Sequence, residues 1–249
     1  MKTQLVTALA VCLLLGVGAA RADERGEAKA LLDRATKAMN GEGKLARYRA
    51  GTLKGKLTVP DGGQDVIVTV DGAWQGMSQY RVDADVQEGG RDFKAVLVIN
   101  GDKGWFKKGD KTDEGPEGVV PFLQNVFHAA RMPVLLPSLT DKDYTLSLLG
   151  EIKVGNRQAV GLTVSHKDRK DVSLFFDKET GLPLKSEVRL TDPKGQDITV
   201  EYLYGDYKDF DGVKLPAKVT IKFEDKECTV EVSEVKPADK VEAGLFDKP

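Results

Sequence analysis

The chain has 249 residues, of which 41% are hydrophobic, 31% charged and 7% aromatic, with a formal charge of −2. That is enough chain to bury a core without disulfides, in one large domain or two small ones, and its apolar share argues against general disorder. Two His and two Cys exclude a His- or Cys-rich metal site and a multi-disulfide scaffold, and the near-balanced charge offers no basic surface for nucleic acid.

Residues 1–22 read as a secretory signal. Lys2 supplies a positive start, Leu5 to Ala20 is almost unbroken apolar sequence, and Ala20-Arg21-Ala22 is an A-x-A cleavage site before Asp23. The run is short for a membrane span. Cys12 lies inside the apolar stretch, a poor context for lipid attachment. Cleavage after Ala22 predicts a periplasmic, exported domain over 23–249. Lys2 and Arg21 leave with the signal, so 37 basic residues become 35 against 39 acidic ones. Cys228 is then the sole cysteine, with no intramolecular partner. It shares a strand face with Val230 and Val232 and reads as a small buried hydrophobe.

Glu24–Asn40 has helical period: Ala28, Leu31, Leu32, Ala35, Ala38 and Met39 fall on one face, and Asn40-Gly41 supplies the stop. From Leu45 the period becomes two. Val66, Val68 and Val70, then Tyr80, Val82, Ala84 and Val86, then Phe93, Ala95, Leu97 and Ile99 mark half-buried antiparallel strands. Asp61-Gly62-Gly63, Asp71-Gly72, Gly89-Gly90, Asn100-Gly101 and Gly109-Asp110 are read as the turns between them.

Residues 115–141 break this rhythm. Gly115-Pro116-Glu117 opens a helix running through Val119, Phe122, Leu123, Val126 and Phe127, and the apolar stretch Met132-Pro133-Val134-Leu135-Leu136-Pro137 follows. Connections are normally polar and run over the surface, so this insert either plugs a core or covers a cavity. After Tyr144 the alternation returns and continues to Val232. The expected architecture is mainly β: an antiparallel sheet of about 11 strands curled into an unclosed barrel. An N-terminal helix and the central insert pack on its concave face.

Catalytic chemistry finds little support. His128 and His166 belong to no H-E-x-x-H motif, and Ser78 lacks the second Gly of a nucleophile elbow. Asp206, Asp209 and Asp211 before Gly212 have the wrong spacing for a Ca²⁺ loop and read as a hairpin turn. Lys167–Lys170 reads as a solvated hairpin tip. The aromatics Trp74, Trp105, Phe106, Phe122 and Phe127 are either core or the wall and lid of an apolar pocket. No cofactor is expected.

Several segments resemble the LolA/LolB-like superfamily of periplasmic lipoprotein carriers. They are Gly72-Ala73-Trp74 with Tyr80-Arg81-Val82, Asn100-Gly101-Asp102-Lys103-Gly104-Trp105-Phe106, the apolar insert, Asp177-Lys178-Glu179-Thr180-Gly181-Leu182-Pro183, Asp211-Gly212-Val213-Lys214-Leu215-Pro216, and the terminal Leu245-Phe246-Asp247-Lys248-Pro249. The resemblance implies an unclosed barrel whose hydrophobic cavity holds acyl chains. It further implies a carrier that takes lipoproteins from an inner-membrane transporter and passes them to an outer-membrane acceptor, without enzymatic activity and as a monomer. On that reading Trp74, Leu97, Trp105, Phe106, Phe122, Phe127, Leu135 and Leu136 line the cavity or form its lid. The better-known carriers gate the lid with an Arg on the second or third strand. Here Gln75-Gly76-Met77-Ser78 follows Trp74 and no Arg comes before Arg81, so that gate does not carry over. The alternatives are a sensor module on the same fold and a secreted hydrolase.

Overall fold

The computed structural model describes residues 24–249, so the signal segment with its cleavage site and Cys12 lie outside the described residues. Helix α1 (24–38) comes first. It ends where the sequence predicts: Asn40 adopts a left-handed φ of 53° and the Gly41 N–H donates back to the Thr36 carbonyl at 2.9 Å, a Schellman-type close. Ala28, Leu32, Ala35 and Met39 form its buried stripe.

Six strands then run as a meander: β1 (Ala50–Asp61), β2 (Gln64–Gln75), β3 (Gln79–Glu88), β4 (Arg91–Asn100), β5 (Lys103–Lys108) and β6 (Lys111–Glu114). The insert forms α2 (Val119–Ala130), α3 (Met132–Leu135) and a 3₁₀ turn over Leu136–Thr140. Seven more strands follow: β7 (Tyr144–Val154), β8 (Arg157–His166), β9 (Arg169–Asp177), β10 (Pro183–Thr191), β11 (Asp197–Phe210), β12 (Val213–Phe223) and β13 (Lys226–Ala238). All thirteen belong to one sheet, ordered β6-β5-β4-β3-β2-β1-β13-β12-β11-β10-β9-β8-β7, and every pairing is antiparallel.

Sequence alternation falls short of thirteen for a physical reason. β6 is Lys-Thr-Asp-Glu and carries no apolar residue, so nothing in it marks an inward face. Asp71-Gly72 is likewise interior to β2, because Gly72 sits against the Leu53 side chain and not in a turn. By contrast Asp211 and Gly212 both have positive φ, 53° and 78°, as a type I′ hairpin requires. The Gly212 N–H donates to Asp209 Oδ1 at 2.9 Å, and this is the hairpin turn read from the sequence.

The topology places the functional region. β1 pairs with β13, so the two strand ladders join in mid-sheet, while β6 and β7 are the open edges. The insert connects those two edges in sequence, which brings it across the mouth of the curled sheet. α2 packs on β9, β10 and β11 on one side and on β5 on the other. One core cluster on the concave face unites α1, the insert and both ladders. A smaller cluster on the opposite face packs Ala73, Val98 and Trp105 under Val241, Leu245 and Phe246 of the C-terminal tail. Arg81 serves that outer face: it chelates Asp83 through Nε and Nη2 at 2.6 and 2.8 Å and donates to the Leu245 carbonyl at 3.2 Å.

Gly51 shows how tight the mid-sheet seam is. A Cβ there would lie 2.5 Å from the Lys236 carbonyl oxygen and 2.8 Å from the Trp74 ring. Gly51→Val is therefore expected to destabilise the fold by about 2–3 kcal/mol, the upper range for overpacking, and to displace the Trp74 indole. Urea denaturation followed by tryptophan emission measures both.

Candidate functional site

The concave face is not fully packed. A cavity of about 350 Å³ lies between the mid-sheet strands and the α2–α3 corner. Its floor is Leu53 and Leu57 of β1, Val70 and Trp74 of β2, Val219 and Ile221 of β12, and Val230 and Val232 of β13. Its roof is Phe127, Ala130, Arg131, Pro133 and Val134. The register explains the floor: Leu57 stands opposite Val68 on one side and Val230 on the other, and Val230 opposite Val219. Inward-facing aliphatic residues of four consecutive strands thus form a continuous apolar surface. The size falls in the range of small-molecule pockets.

α2 is fixed to the barrel by strand hydroxyls. Tyr202 donates to the Val126 carbonyl at 3.0 Å, and Tyr204 and Ser186 donate to the Ala129 carbonyl at 3.1 and 2.9 Å. These bonds satisfy carbonyls at the helix C-terminus that have no partner within the helix or share one. Burial pushes both tyrosine phenols well up, so they remain donors. Tyr204→Phe is expected to cost about 1 kcal/mol of stability, since it removes a buried hydroxyl that bonds both the Ala129 carbonyl and Ser186 Oγ, while Ser186 remains as a donor to that carbonyl. Thermal melting against wild type measures it.

At the C-terminal end of α2, Arg131 crosses the cavity edge. It donates through Nη1 to the Gly76 carbonyl at 2.8 Å and through Nη2 to the Tyr48 carbonyl at 3.3 Å. Its guanidinium carbon lies 5.1 Å from the centre of the Trp74 ring and 5.7 Å from that of Tyr80, within cation–π range. Trp74 is held in turn by its Nε1–H on the Tyr48 carbonyl at 2.9 Å. Burial pulls the Arg131 pKa down, opposed in part by Tyr80. Arg169 reaches the same turn from β9, donating through Nη2 to the Met77 carbonyl at 2.9 Å. The solvated tip read for 167–170 is thus only partly solvated, because Arg169 Nε is buried. His128 lies beside both guanidiniums. It is 1% exposed and among the described residues neither ring nitrogen has a partner. Burial chiefly, then Arg169, His166 and Arg131, push its pKa down to about 3.

The residues singled out in the sequence fall in four places. Trp74 and Phe127 line the cavity. Leu97 and Phe106 line a second groove along β3–β5. Phe122 is half-buried on α2 against the core, and Leu135 and Leu136 are buried in that core beneath the insert. Trp105 faces the outer side against Phe246. The floor residues Val219, Ile221, Val230 and Val232 carry the inward alternation in the sequence. Nothing local, however, places β12 and β13 opposite Trp74. Asp177 proves a turn residue: its Oδ1 accepts from the Glu179 and Thr180 N–H groups at 2.8 and 2.6 Å, and its Oδ2 meets Arg157 Nε at 2.5 Å. Burial raises its pKa, but the Thr180 bonds and Arg157 outweigh it, for a net lowering. Cys228 is buried with a raised thiol pKa, first through burial and then through Glu227.

Among the described residues no helix is long and apolar enough to cross a membrane, and no group of three or more His, Cys, Asp or Glu is placed to hold a metal ion.

No protein-family model matches the chain, and no curated protein matches it. Solved structures do. The chain is similar to a LolA superfamily protein from Nitrosomonas europaea, with a TM-score of 0.57 at 12% identity over 89% of this chain and 97% of that one. It is also similar to a DUF1329 family protein from Desulfovibrio piger, with a TM-score of 0.53 at 11% identity over 88% and 97%. At such identity the likeness establishes the fold: an unclosed antiparallel sheet with a helical insert, of the LolA type.

Proposed function

We propose that this LolA-type fold is an exported carrier that holds a lipoprotein acyl chain, or a similar apolar ligand, and passes it between envelope membranes. One observation carries the reading: a chain of ordinary composition leaves about 350 Å³ of carbon-lined space beneath a helical insert that spans the barrel mouth. Each methylene transferred there contributes about 0.8 kcal/mol, so part of one acyl chain already supplies useful affinity. Release then requires a competing site or movement of the roof. The hydroxyl bonds of Tyr202, Tyr204 and Ser186 hold α2 to the sheet, and buried Met132, Leu135 and Leu136 anchor the α3 corner, so movement of the roof has to break these contacts.

Native mass spectrometry of protein purified from its own envelope tests the proposal. Bound lipid that appears as discrete mass increments, on a chain beginning at Asp23, is the expected result. Protein that carries no lipid and takes up no fluorescent acyl probe would overturn it.

A further inference from the structure

Two guanidiniums reach one turn from different elements, Arg131 from the end of α2 and Arg169 from β9. Arg131 donates to the Gly76 carbonyl and Arg169 to the next carbonyl, that of Met77. Both have a buried Nε–H with no acceptor among the described residues. Among the described residues neither meets a carboxylate. Of the acids nearby, Asp141 is engaged by Arg49 and Asp143 by Lys167, and Asp168 offers Arg169 its backbone carbonyl and not its carboxylate. Buried cations are ordinarily paired. Here backbone dipoles, a phenol and aromatic faces take the place of a carboxylate, and spare N–H donors remain.

The neighbours do not lower this positive charge. His128 adds no negative charge, His166 lies 6.2 Å from it ring to ring, and the Tyr144 phenol is pushed up to about 12, chiefly by burial. Arg131 is also a lining residue of the apolar cavity. Arg81 also borders the cavity but sends its guanidinium to Asp83 and the Leu245 carbonyl on the outer face, and no Asp or Glu lines the cavity. An occupant therefore meets carbon along its length and uncompensated positive charge at one end, with nothing to receive a cation.

We propose that the ligand is a single-chain amphiphile with an anionic headgroup, a fatty acid whose carboxylate is bound at the cavity edge by Arg131, with Arg169 on the far side of the Gly76-Met77 turn adding positive charge behind it. This rests on the carrier reading and sharpens it. A guanidinium fork matches a carboxylate's two oxygens, and an incoming carboxylate replaces the neutral Gly76 and Tyr48 carbonyls as the acceptor for Arg131. Volume argues for one chain. If a methylene occupies roughly the ~30 Å³ of a water, 350 Å³ accommodates about ten to twelve carbons.

Calorimetric titration of the delipidated protein with dodecanoate, dodecanol and dodecyltrimethylammonium tests the headgroup at constant chain length. Dodecanoate is expected to bind at least about tenfold tighter than dodecanol, as a charge-assisted pair in a desolvated site allows, and the cation weakest. Arg131→Met should bring dodecanoate and dodecanol within about twofold of each other, and Arg169→Met should narrow the gap while preserving dodecanol binding. Should Arg131→Met fail to fold, Arg131→Lys keeps the charge but loses the fork and should give an intermediate ratio. Equal binding of dodecanoate and dodecanol by wild type overturns the headgroup site and leaves the carrier standing. No binding of any of the three overturns the carrier reading itself. A preference for lauroyl lysophosphatidate over dodecanoate overturns the carboxylate assignment in favour of a phosphate.

Discussion

Val230→Trp is expected to weaken binding of an acyl probe by about 50-fold while the protein keeps its fold. Val230 is half-buried on the cavity floor, opposite Leu57 on one side and Val219 on the other. An indole in place of an isopropyl group adds roughly three water volumes of ~30 Å³ each, about the space of three methylenes. At about 0.8 kcal/mol per methylene displaced, the occupant loses about 2.4 kcal/mol, which is about 50-fold in affinity. Stability should hardly change, because the ring enters space that already exists instead of forcing packed neighbours apart. Thr69→Trp is the matched control. Thr69 is exposed on the opposite face of β2, so the same bulk there should leave affinity within about twofold, as surface substitutions usually do. Displacement of a fluorescent fatty acid, with melting curves alongside, reads both outcomes. If the two variants behave alike, the cavity is not the binding site.

How far the sequence reveals this site depends on which interactions build it. Strand alternation is local, so the inward set Tyr80, Val82, Leu97, Ile99, Val219 and Val230 is legible residue by residue. The burial of the insert is legible from its apolar content, because a connection that rich in Leu, Val and Phe has to be covered, but its place across the mouth follows only from the sheet order that makes β6 and β7 the open edges. The seam between β1 and β13 is not. It joins residues about 180 positions apart, Gly51 with Pro237 and Leu57 with Val230, and no turn signal reports a pairing of that separation. Without it, Trp105 and Phe106 look equivalent to Trp74, and the aromatic residues cannot be sorted into cavity, side groove and outer face. A single residue's parity does that sorting: Gly104 faces Val120 of α2, so Trp105 must face away. Arg131 is missed for a different reason. At the end of an apolar helix it looks like a helix-terminal cation in water, where it would also be favourable. Its burial follows only from the turn at Gly76-Met77 lying beneath it.

His128 should make the protein acid-sensitive well above the carboxylate range. Its folded pKa is held near 3, from a usual value of 6.5, so the unfolded chain takes up a proton there long before the folded one does. The stability this linkage supplies is complete above pH 6.5 and is lost as pH falls toward 3, at up to about 1.4 kcal/mol per pH unit. Every group facing the ring acts in the same direction or is neutral: Arg169 and Arg131 are cations, His166 becomes one, and Tyr144 stays protonated. No carboxylate is at hand to stabilise an imidazolium. His166 is also lowered, mainly by burial, though it is more exposed, and contributes a smaller slope of the same sign. Asp177, whose pKa is lowered below its usual 3.8, contributes only in more acid solution, so pH 4.5–7 isolates the histidines. His128→Phe preserves the ring packed near Tyr144 and removes two buried nitrogens that have no partner. Across that window wild type should lose about 2–3 kcal/mol of unfolding free energy and the variant about 1 kcal/mol or less, the curves converging at neutral pH or crossing in the variant's favour. Urea denaturation at half-unit pH steps measures the slopes. Parallel slopes would mean that the imidazole is hydrated and titrates normally. That would in turn require water in the corner where Arg131 and Arg169 now hold their unpaired N–H groups.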